Sequence, residues 1–325
     1  MTVTDQDRPP ISVLLPTVRW TGACDEVAGQ LGARDELLVL CDTDDDPVAD
    51  RRGTTPDGVR IVRAGEPEGC SGKANAIAAG MEAAAHDRIV WTDDDFAHPD
   101  DWLATLNADY ERRGPTTEVP VFVGKDPLSR LFEPAYAIGG TAAVFAGGIA
   151  WGGAVVFERD DLARPESVSD AAAAAAGPEA ALLADLRRTV SDDGTLTEYL
   201  DVTAADRTRT VPAGGSIRGS VERFVRFFRI VRFHAPRAAA FDVAFAVSSA
   251  VLCLLAPVVG AGLVTAIAAA VYARFGVRRA TFLLAFPSVL VSPPLLAYAL
   301  ARRTFVWGGR RYRWRSLFDV EVLPA

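Results

Sequence analysis

Lysine, histidine and cysteine are scarce in this chain of 325 residues. Only two of the 34 basic residues are lysines, Lys73 and Lys125. The three histidines lack metal-ligand spacing, and the cysteines form neither a CxxC motif nor a paired framework, which argues against a zinc site and a disulfide scaffold. We therefore expect free, buried thiols in a reducing compartment; they are Cys24, Cys41, Cys70 and Cys253.

Charge is distributed unevenly along the chain. Residues 1–217 carry 19 Lys and Arg against 38 Asp and Glu, whereas residues 218–325 carry 15 Arg against four acids. Because the basic part is also the apolar part, it favours a membrane surface over nucleic acid as partner. The N-terminus is polar and acidic and shows no signal peptide, so the first domain is expected to be cytoplasmic.

Short apolar runs alternate with helical patterns in the first half of the chain. This alternation predicts an α/β domain with a mainly parallel, doubly wound sheet. The predicted strands are 11–16, 35–42, 58–64 and 87–93, and the predicted helices are 71–85, with Ser71 as N-cap, and 98–113. Ligands of such sheets bind beyond the carboxyl ends of the strands. The acidic groups 42–46 and 93–95 should therefore face one crevice.

The middle of the chain is less regular. Residues 127–157 are rich in Gly and Ala and end in a predicted strand, 154–157. They fit either an acceptor-side wall or a segment that rests on lipid. Residues 167–194 are typical of helix, with a break at Gly177-Pro178.

The last third of the chain indicates a membrane. Residues 216–237 place four arginines at threefold spacing among apolar residues, which is typical of an interfacial amphipathic helix. Residues 238–273 contain one charge and residues 280–300 contain none. We expect Pro257 and Gly260 to break the first stretch into a hairpin, and Pro287 and Pro293-Pro294 to interrupt the second. Two or three spans result, and the flanking arginine clusters favour hairpins or a re-entrant segment.

The triplet Asp93-Asp94-Asp95 follows the apolar strand Ile89-Val90-Trp91. In so acidic a chain, three aspartates could be a solvated turn. Alternatively, Asp93 and Asp95 could offer oxygen ligands to Mg²⁺ or Mn²⁺, whose remaining ligands are commonly phosphate oxygens. The place of the triplet at the end of a buried strand favours the cation.

Eight motifs occur in the order in which family-2 glycosyltransferases of the GT-A fold carry them. They are ISVLLPT (11–17), ELLVLCDTDDDP (36–47), GKANAI (72–77), WTDDDF (91–96), GGAVVFERDDL (152–162), VSDDGTL (190–196), RFVRF (223–227) and WGGRRYRW (307–314). The chain resembles this family over about residues 11–315, and within it the ceramide glucosyltransferases and their bacterial relatives. The RFVRF motif departs from the family's QxxRW pattern, with Arg223 for Gln and Phe227 for Trp.

The resemblance implies roles for particular residues. Asp193, with Asp192 as its competitor, would be the catalytic base, and Asp93 and Asp95 would hold the metal. The residues implied in binding the nucleotide-sugar donor are Pro16, Thr17, one of Asp44, Asp45 and Asp46, then Lys73, Asn75, Asp93, Arg223 and Arg226. Each position also has a structural interpretation: SDDG as a helix cap, Lys73 as a solvated charge, and the arginines as anchors to anionic lipid.

The predicted function is membrane-bound, inverting and metal-assisted transfer of a hexose from a nucleotide sugar, a UDP-sugar by expectation, to a lipid hydroxyl. The alternatives are a polyprenyl-phosphate sugar synthase and a catalytically inactive nucleotide-sugar binding protein. The predicted organisation is a cytoplasmic transferase domain (1–217), an interfacial helix (218–237), transmembrane segments (238–304) and a basic cytoplasmic tail (305–325).

Overall fold

The computed structural model describes residues 8–166 and 168–324. The chain divides into two compact units. Among the described residues, the first unit comprises 8–118, 148–166, 168–206 and 318–322, and the second comprises 119–147, 207–317 and 323–324. Three strands, Thr116–Gly124, Thr203–Ala213 and Asp319–Leu323, begin in the first unit and end in the second.

A seven-stranded sheet has the order β3-β2-β1-β4-β6-β5-β7. Its strands are β1 (Ile11–Pro16), β2 (Glu36–Cys41), β3 (Val59–Arg63), β4 (Arg88–Thr92), β5 (Thr116–Gly124), β6 (Ala154–Glu158) and β7 (Thr203–Ala213). The first four strands pair in parallel, and β6 is antiparallel to both β4 and β5. The predicted mainly parallel α/β sheet is confirmed, and sequence patterns had not indicated β5 and β7.

The central strands are apolar because helices and loops cover both of their faces. Every residue of β4 is buried, and Trp91 packs edge-to-face on Phe157 of β6, with ring centroids 5.7 Å apart. Ser12 is a polar residue in this core, and its hydroxyl donates to Oε1 of Glu36 at 2.7 Å on the paired strand β2. The buried hydroxyl is therefore satisfied within the sheet.

The described part of the first unit contains six α-helices: α1 (Gly22–Ala28), α2 (Gly72–Ala83), α3 (Trp102–Arg113), α6 (Ala171–Ala176), α7 (Pro178–Leu186) and α8 (Asp192–Tyr199). The predicted Ser71 cap is confirmed, since its side chain accepts from the N–H of Ala74. Helix α3 begins four residues later than predicted, because Pro99 forms a turn with Trp102. The predicted break at Gly177-Pro178 separates α6 from α7.

The other helices lie in the second unit. They are α4 (Pro127–Tyr136), followed by a π-helical turn (Ala137–Thr141), α5 (Ala142–Gly147), α9 (Ile217–His234), α10 (Pro236–Leu255), α11 (Pro257–Arg274) and α12 (Ala285–Ala301). Three segments are long and apolar enough to cross a membrane: Pro236–Leu255, Pro257–Arg274 and Ala280–Ala301. The predicted break at Pro257 is confirmed, because α10 ends and α11 begins there, whereas Gly260 lies within α11 and does not break it.

One expectation for the C-terminal part needs correction. The prolines of the last apolar stretch do not interrupt it, since α12 runs continuously through Pro293 and Pro294. Pro287 lies in its first turn, where a missing N–H costs no helical hydrogen bond. The predicted basic tail contains a three-stranded sheet formed by β8 (Thr304–Trp307), β9 (Arg310–Ser316) and β10 (Asp319–Leu323). The four cysteines are free and buried, as expected.

Candidate functional site

The carboxyl ends of β1, β2 and β4 meet at one edge of the sheet, because these strands are parallel neighbours. Thr17 follows β1 and the aspartate triplet follows β4. The Thr17 hydroxyl donates to Oδ2 of Asp94 at 2.5 Å, which ties the ends of the two strands together. Burial raises the pKa of the Asp94 carboxyl, against the effect of the Thr17 hydrogen bond. Asp94 therefore has a local partner, and its two neighbours are the residues predicted to hold the metal.

One ammonium group joins three carboxylates at this edge. Nζ of Lys73 lies 2.7 Å from Oδ1 of Asp93, 2.9 Å from Oδ2 of Asp192 and 3.9 Å from Oδ1 of Asp193. Asp192 is nearly inaccessible, with 4% of its side chain exposed, whereas Asp193 keeps 35% exposed. We call these four residues the Lys73 cluster. It brings together side chains that the sequence assigned separately to donor, metal and base.

The cluster forms because the N-termini of α2 and α8 are fastened to each other. The backbone N–H of Ser71 donates to Thr189 O at 2.9 Å, and its hydroxyl donates to Val190 O at 2.8 Å. Ser191 caps α8 by accepting from the N–H of Gly194. A lysine at a helix N-terminus is unfavourable to the helix dipole, while aspartates there are favourable. The carboxylates of α8 therefore compensate the misplaced charge on α2.

Gly152 fits against the cluster because it has no side chain. Its N–H donates to Oδ1 of Asp193 at 2.9 Å. A Cβ atom at this position would lie 2.5 Å from that oxygen and 2.8 Å from Oδ2 of Asp192. Any larger residue would push the two carboxylates away from their positions. In the sequence, this glycine belongs to a segment, 127–157, that fits an acceptor-side wall or a segment resting on lipid, and this contact was missed. The Gly-Gly pair before a strand was the visible signal.

Burial and neighbouring charges shift the pKa values of Lys73 and Asp193 and give the two residues different properties. Burial alone would lower the pKa of the Lys73 ammonium, but Asp192, Asp93 and Asp193 together hold that pKa well above its usual range. Burial and the nearby charge of Asp192 raise the pKa of the Asp193 carboxyl well above its usual range, and Lys73 offsets only part of that effect. Lys73 is thus a permanent cation, and Asp193 is a carboxylate with increased affinity for a proton.

The acidic turn after β2 is organised around Asp46. Its Oδ2 accepts from the backbone N–H groups of Asp42 and Thr43, each at 2.8 Å. Asp44 is half exposed and pairs with Arg52 and Arg63. Hydrogen bonding from Arg52 lowers the pKa of the Asp44 carboxyl. Among the three candidates for the donor-binding aspartate, Asp46 shapes the turn, while Asp44 and the exposed Asp45 face solvent.

Two other predicted donor residues lie near the same edge. Pro16 is the last residue of β1. The side-chain amide of Asn75 on α2 donates to Gly65 O at 2.8 Å, which fixes the loop after β3. In this structure Asn75 therefore has a structural contact beside its predicted role.

The predicted diphosphate-binding arginines lie in the second unit. The guanidinium of Arg226 lies over the ring of Trp307, 4.1 Å from its centroid. Arg223 lies over the rings of Phe122 and Phe227, at 5.1 and 4.7 Å. Such stacking over aromatic rings is typical of arginine. The RFVRF motif is thereby joined to the terminal WGGRRYRW motif.

Few of the described side chains could together ligate a divalent cation. No group of three or more His, Cys, Asp or Glu side chains suited to a metal occurs in residues 8–166 and 168–324. Asp93 and Asp95 are nevertheless hard oxygen ligands that alternate along one loop, and Asp95 is exposed. Mg²⁺ is commonly held by one or two carboxylates plus phosphate oxygens and water. The residues therefore fit a cation that a diphosphate helps to hold, in competition with Lys73 for Asp93.

Comparison with known proteins assigns the class of this domain. Residues 23–172 match the family model for glycosyl transferase family 2, which identifies the domain as that of a glycosyltransferase and agrees with the predicted GT-A fold. A search of curated proteins gave no significant match.

Several solved structures are similar in fold. Glucosyl-3-phosphoglycerate synthase from Mycobacterium tuberculosis is 16% identical, over 70% of this chain and 81% of that one, with a TM-score of 0.40. A complex of the same enzyme with Mn²⁺, UDP and glucosyl-3-phosphoglycerate is 14% identical over the same shares, with a TM-score of 0.41. TarS 1–349 from S. aureus, in complex with UDP-GlcNAc, is 10% identical over 97% and 99%, with a TM-score of 0.39. At these identities, the likeness concerns fold alone.

Proposed function

We propose that this protein is a membrane-bound, inverting glycosyltransferase that moves a hexose from a nucleotide sugar, a UDP-sugar by preference, to a hydroxyl of a lipid acceptor. The observation that carries the proposal is the Lys73 cluster, in which a proton-accepting carboxylate lies within 4 Å of a fixed cation at the ligand-binding edge of a glycosyltransferase domain. The three apolar helices support a lipid as acceptor. The likeness to ceramide glucosyltransferases is part of this proposal.

Asp193 is the better candidate for the base. Its Oδ1 is held by the Gly152 N–H, and among the described residues no hydrogen bond engages its Oδ2. The raised pKa suits a group that must take a proton from a hydroxyl, because a general base works best when its pKa is near the working pH. Asp192 is covered by Lys73 and protein, so it serves to hold the ammonium in place.

The charged residues at this edge of the sheet indicate how the nucleotide-sugar donor would bind. Lys73 supplies a permanent positive charge at the N-terminus of α2, and helix N-termini favour phosphate groups. A divalent cation, Mg²⁺ or Mn²⁺, held by Asp93 and Asp95 would neutralise the departing diphosphate. The role of Arg223 and Arg226 in binding the diphosphate stays a prediction from the resemblance.

The apolar helices are proposed to lie in the membrane with the transferase domain on its cytoplasmic side. Large apolar side chains stand exposed on α10 and α11, among them Leu255 and Val258 at more than 80%. A chain that exposes such residues in water would associate through them, whereas lipid covers them at no cost. The pair α10–α11 forms the hairpin that the sequence predicted.

Residues that flank both ends of α12 contact the helices α4 and α9. Before its start, the Arg279 guanidinium donates twice to the Glu133 carboxylate on α4, at 2.9 Å each. After its end, Arg229 on α9 donates to the carbonyls of Arg302 and, at 2.7 Å, of Trp314. We therefore propose that α12 is embedded without crossing the membrane. The three-stranded sheet of β8, β9 and β10, which we call the terminal sheet, would then lie on the same side as α9.

Helices α4 and α9 belong to one layer because they are joined to each other. The Ser220 hydroxyl of α9 donates to Oδ2 of Asp126, the N-cap of α4, at 2.6 Å. Phe132 of α4 also packs on Phe224 of α9, with ring centroids 5.4 Å apart. This junction supports the proposal that both ends of α12 lie on one side of the membrane.

The proposed function is tested with the full chain in membranes. We expect one sugar from a panel of radiolabelled nucleotide sugars to enter the lipid extract. Asp193→Asn should reduce that transfer by about 10²–10⁴-fold, the range for a lost general base. Asp50→Asn, which removes an exposed acid with the same change of charge, is the matched control and should keep full activity.

The outcomes separate the alternatives. Labelled lipid with undiminished turnover in Asp193→Asn would instead indicate a phosphate acceptor, which needs no deprotonation. Absence of both transfer and donor hydrolysis across the panel, with donor still bound, would indicate the inactive binding protein.

The membrane arrangement is tested by labelling introduced cysteines with an impermeant maleimide. Thr54→Cys reports on the transferase domain and Ser316→Cys on the terminal sheet, and both positions are exposed. We expect both to react only in inside-out vesicles. Reaction of Ser316→Cys from the opposite side would mean that α12 crosses the membrane.

A further inference from the structure

A basic cavity in the second unit has no role in the proposed transfer. It has a volume of about 550 Å³ and lies among the start of α9, the end of α12 and the terminal sheet. Arg218, Arg302 and Arg311 line it, against a single acid, Glu222. Its apolar lining includes Val221 and Val306.

The acid in the cavity is already engaged. Oε1 of Glu222 accepts from Arg302 at 3.2 Å, and Oε2 accepts from the backbone N–H of Val306 at 3.0 Å. Only 11% of its side chain is exposed. The charge of Arg302 is thus balanced by Glu222, and the charges of Arg218 and Arg311 remain as an excess of two. The first turn of α9 adds the positive end of a helix dipole.

The cavity lies where an apolar helix ends. Helix α12 ends at Ala301, and both Tyr298, in its last turn, and Arg302 line the cavity. Tyrosine and arginine at the end of an apolar helix are typical of the membrane–water boundary. A ligand there would have its polar group among the arginines and its apolar part along α12.

We propose that this cavity binds the phosphate group of an anionic lipid. Guanidinium groups match phosphate oxygens, and basic residues at a membrane boundary attract anionic lipids. The volume accommodates a headgroup and is too small for a folded partner. The lipid need not be the acceptor of the transferase reaction. The inference rests on the proposed membrane position of α12, and its test measures binding, so loss of transferase activity would leave the result unaffected.

The test uses the full chain in neutral detergent at physiological salt. Phosphatidylglycerol is added in stoichiometric amounts, and bound lipid is counted by native mass spectrometry, with phosphatidylcholine as the neutral comparison. We expect one saturable phosphatidylglycerol per chain. Arg218→Gln and Arg311→Gln should each weaken binding about fivefold more than Arg303→Gln. Arg303 is an exposed arginine beside the cavity that does not line it, so this variant matches the change in charge.

The variant Glu222→Gln should change the affinity for the lipid in the direction opposite to that of the arginine variants. The amide oxygen can still accept from Val306, while the charge of the Arg302 guanidinium is no longer balanced by a carboxylate and acts on the phosphate. We expect tighter lipid binding in this variant, by about fivefold for one additional basic group. Equal loss in all three arginine variants, or weaker binding in Glu222→Gln, would overturn the proposal.

A competition experiment distinguishes a lipid phosphate from a soluble phosphate as the ligand of the cavity. Glycerol phosphate and inorganic phosphate are offered in competition with the lipid. Failure of both to compete at millimolar concentration supports a lipid, because the acyl chains are then required. Displacement of the lipid by inorganic phosphate at micromolar concentration would reject the lipid and assign the cavity to a soluble anion.

Discussion

The two units contain carboxyl groups whose pKa values are shifted in opposite directions. In the second unit, Asp126 accepts hydrogen bonds from Leu128, Ser129, Gly215 and Ser220. These bonds outweigh burial and hold the pKa of its carboxyl well below the usual range. In the first unit, Asp193 accepts one backbone hydrogen bond, and burial together with the neighbouring carboxylates of Asp192 and Asp93 raises the pKa of its carboxyl.

The contrast distinguishes structural acids from reactive ones. A carboxylate surrounded by donors is stabilised in its charged form and has no tendency to take a proton. A carboxylate crowded by like charges is less stable when ionised, which costs folding energy and provides basicity. Perturbed groups of the second kind concentrate at functional sites. The acidic residues of the chain therefore include two kinds of carboxylate, those surrounded by hydrogen-bond donors and those beside like charges. The sequence alone does not distinguish the two kinds.

Replacing Lys73 should produce the largest effect, because three carboxylates depend on its charge. We expect Lys73→Met to abolish detectable transfer and to lower the free energy of unfolding by about 3 kcal/mol, as when one partner of a buried pair is removed. Lys73→Arg keeps the charge and should lose much less stability. The measurement is chemical denaturation in detergent, with transfer assayed in parallel. A fully stable Lys73→Met protein would show that the cluster is not held by its charge.

Removing the structural acid should affect stability more than catalysis. Asp126→Ala leaves the start of α4 uncapped and several buried donors unsatisfied, so we expect a loss of about 3 kcal/mol in the free energy of unfolding. The folded pKa of Asp126 lies below its unfolded value. Its contribution is therefore present above about pH 4 and lost as the pH falls further. Wild-type stability should accordingly decline in acid more steeply than that of Asp126→Ala, and parallel acid profiles would contradict this assignment.

Adding one methyl group at Gly152 should displace the reactive acids. We expect Gly152→Ala to destabilise the chain by about 1–3 kcal/mol, the cost of an overpacked site, and to lower kcat because Asp193 moves. Gly139→Ala is the control, since a Cβ there would meet nothing within 4 Å. Thermal unfolding and steady-state kinetics measure the two effects. A Gly152→Ala enzyme with unchanged kcat would show that the position of Asp193 is not critical.

The smallest expected effect is a shift in pH dependence. If Asp193 is the base, transfer by the wild type declines as the pH falls through its raised pKa. Asp192→Asn removes the nearby charge that helps to raise this pKa, so the acidic limb should move to lower pH. The profile of kcat against pH in the two proteins measures the shift. An unmoved limb in Asp192→Asn would assign the titration to another group.

Several features of the site could be predicted because they are local in sequence. The Ser71 cap requires only a serine before a helical pattern, and the aspartates after β4 need only a strand that ends there. The Gly177-Pro178 break and the end of α10 before Pro257 follow from backbone restrictions of the residues themselves. The continuous path of α12 through Pro293 and Pro294 was missed, because packing against neighbouring helices can outweigh a proline's cost.

By itself, the sequence determined the alternation of strands and helices, the acidic edge of the sheet and the apolar segments, since each depends on residues close together along the chain. The tertiary structure alone decided that Lys73, Asp93, Gly152, Asp192 and Asp193 meet. These residues come from four segments of the chain, and their approach depends on how α2 and α8 are fastened at their N-termini. Side-chain charge is a property of the residue, whereas its pKa is set by neighbours that folding brings within a few ångströms.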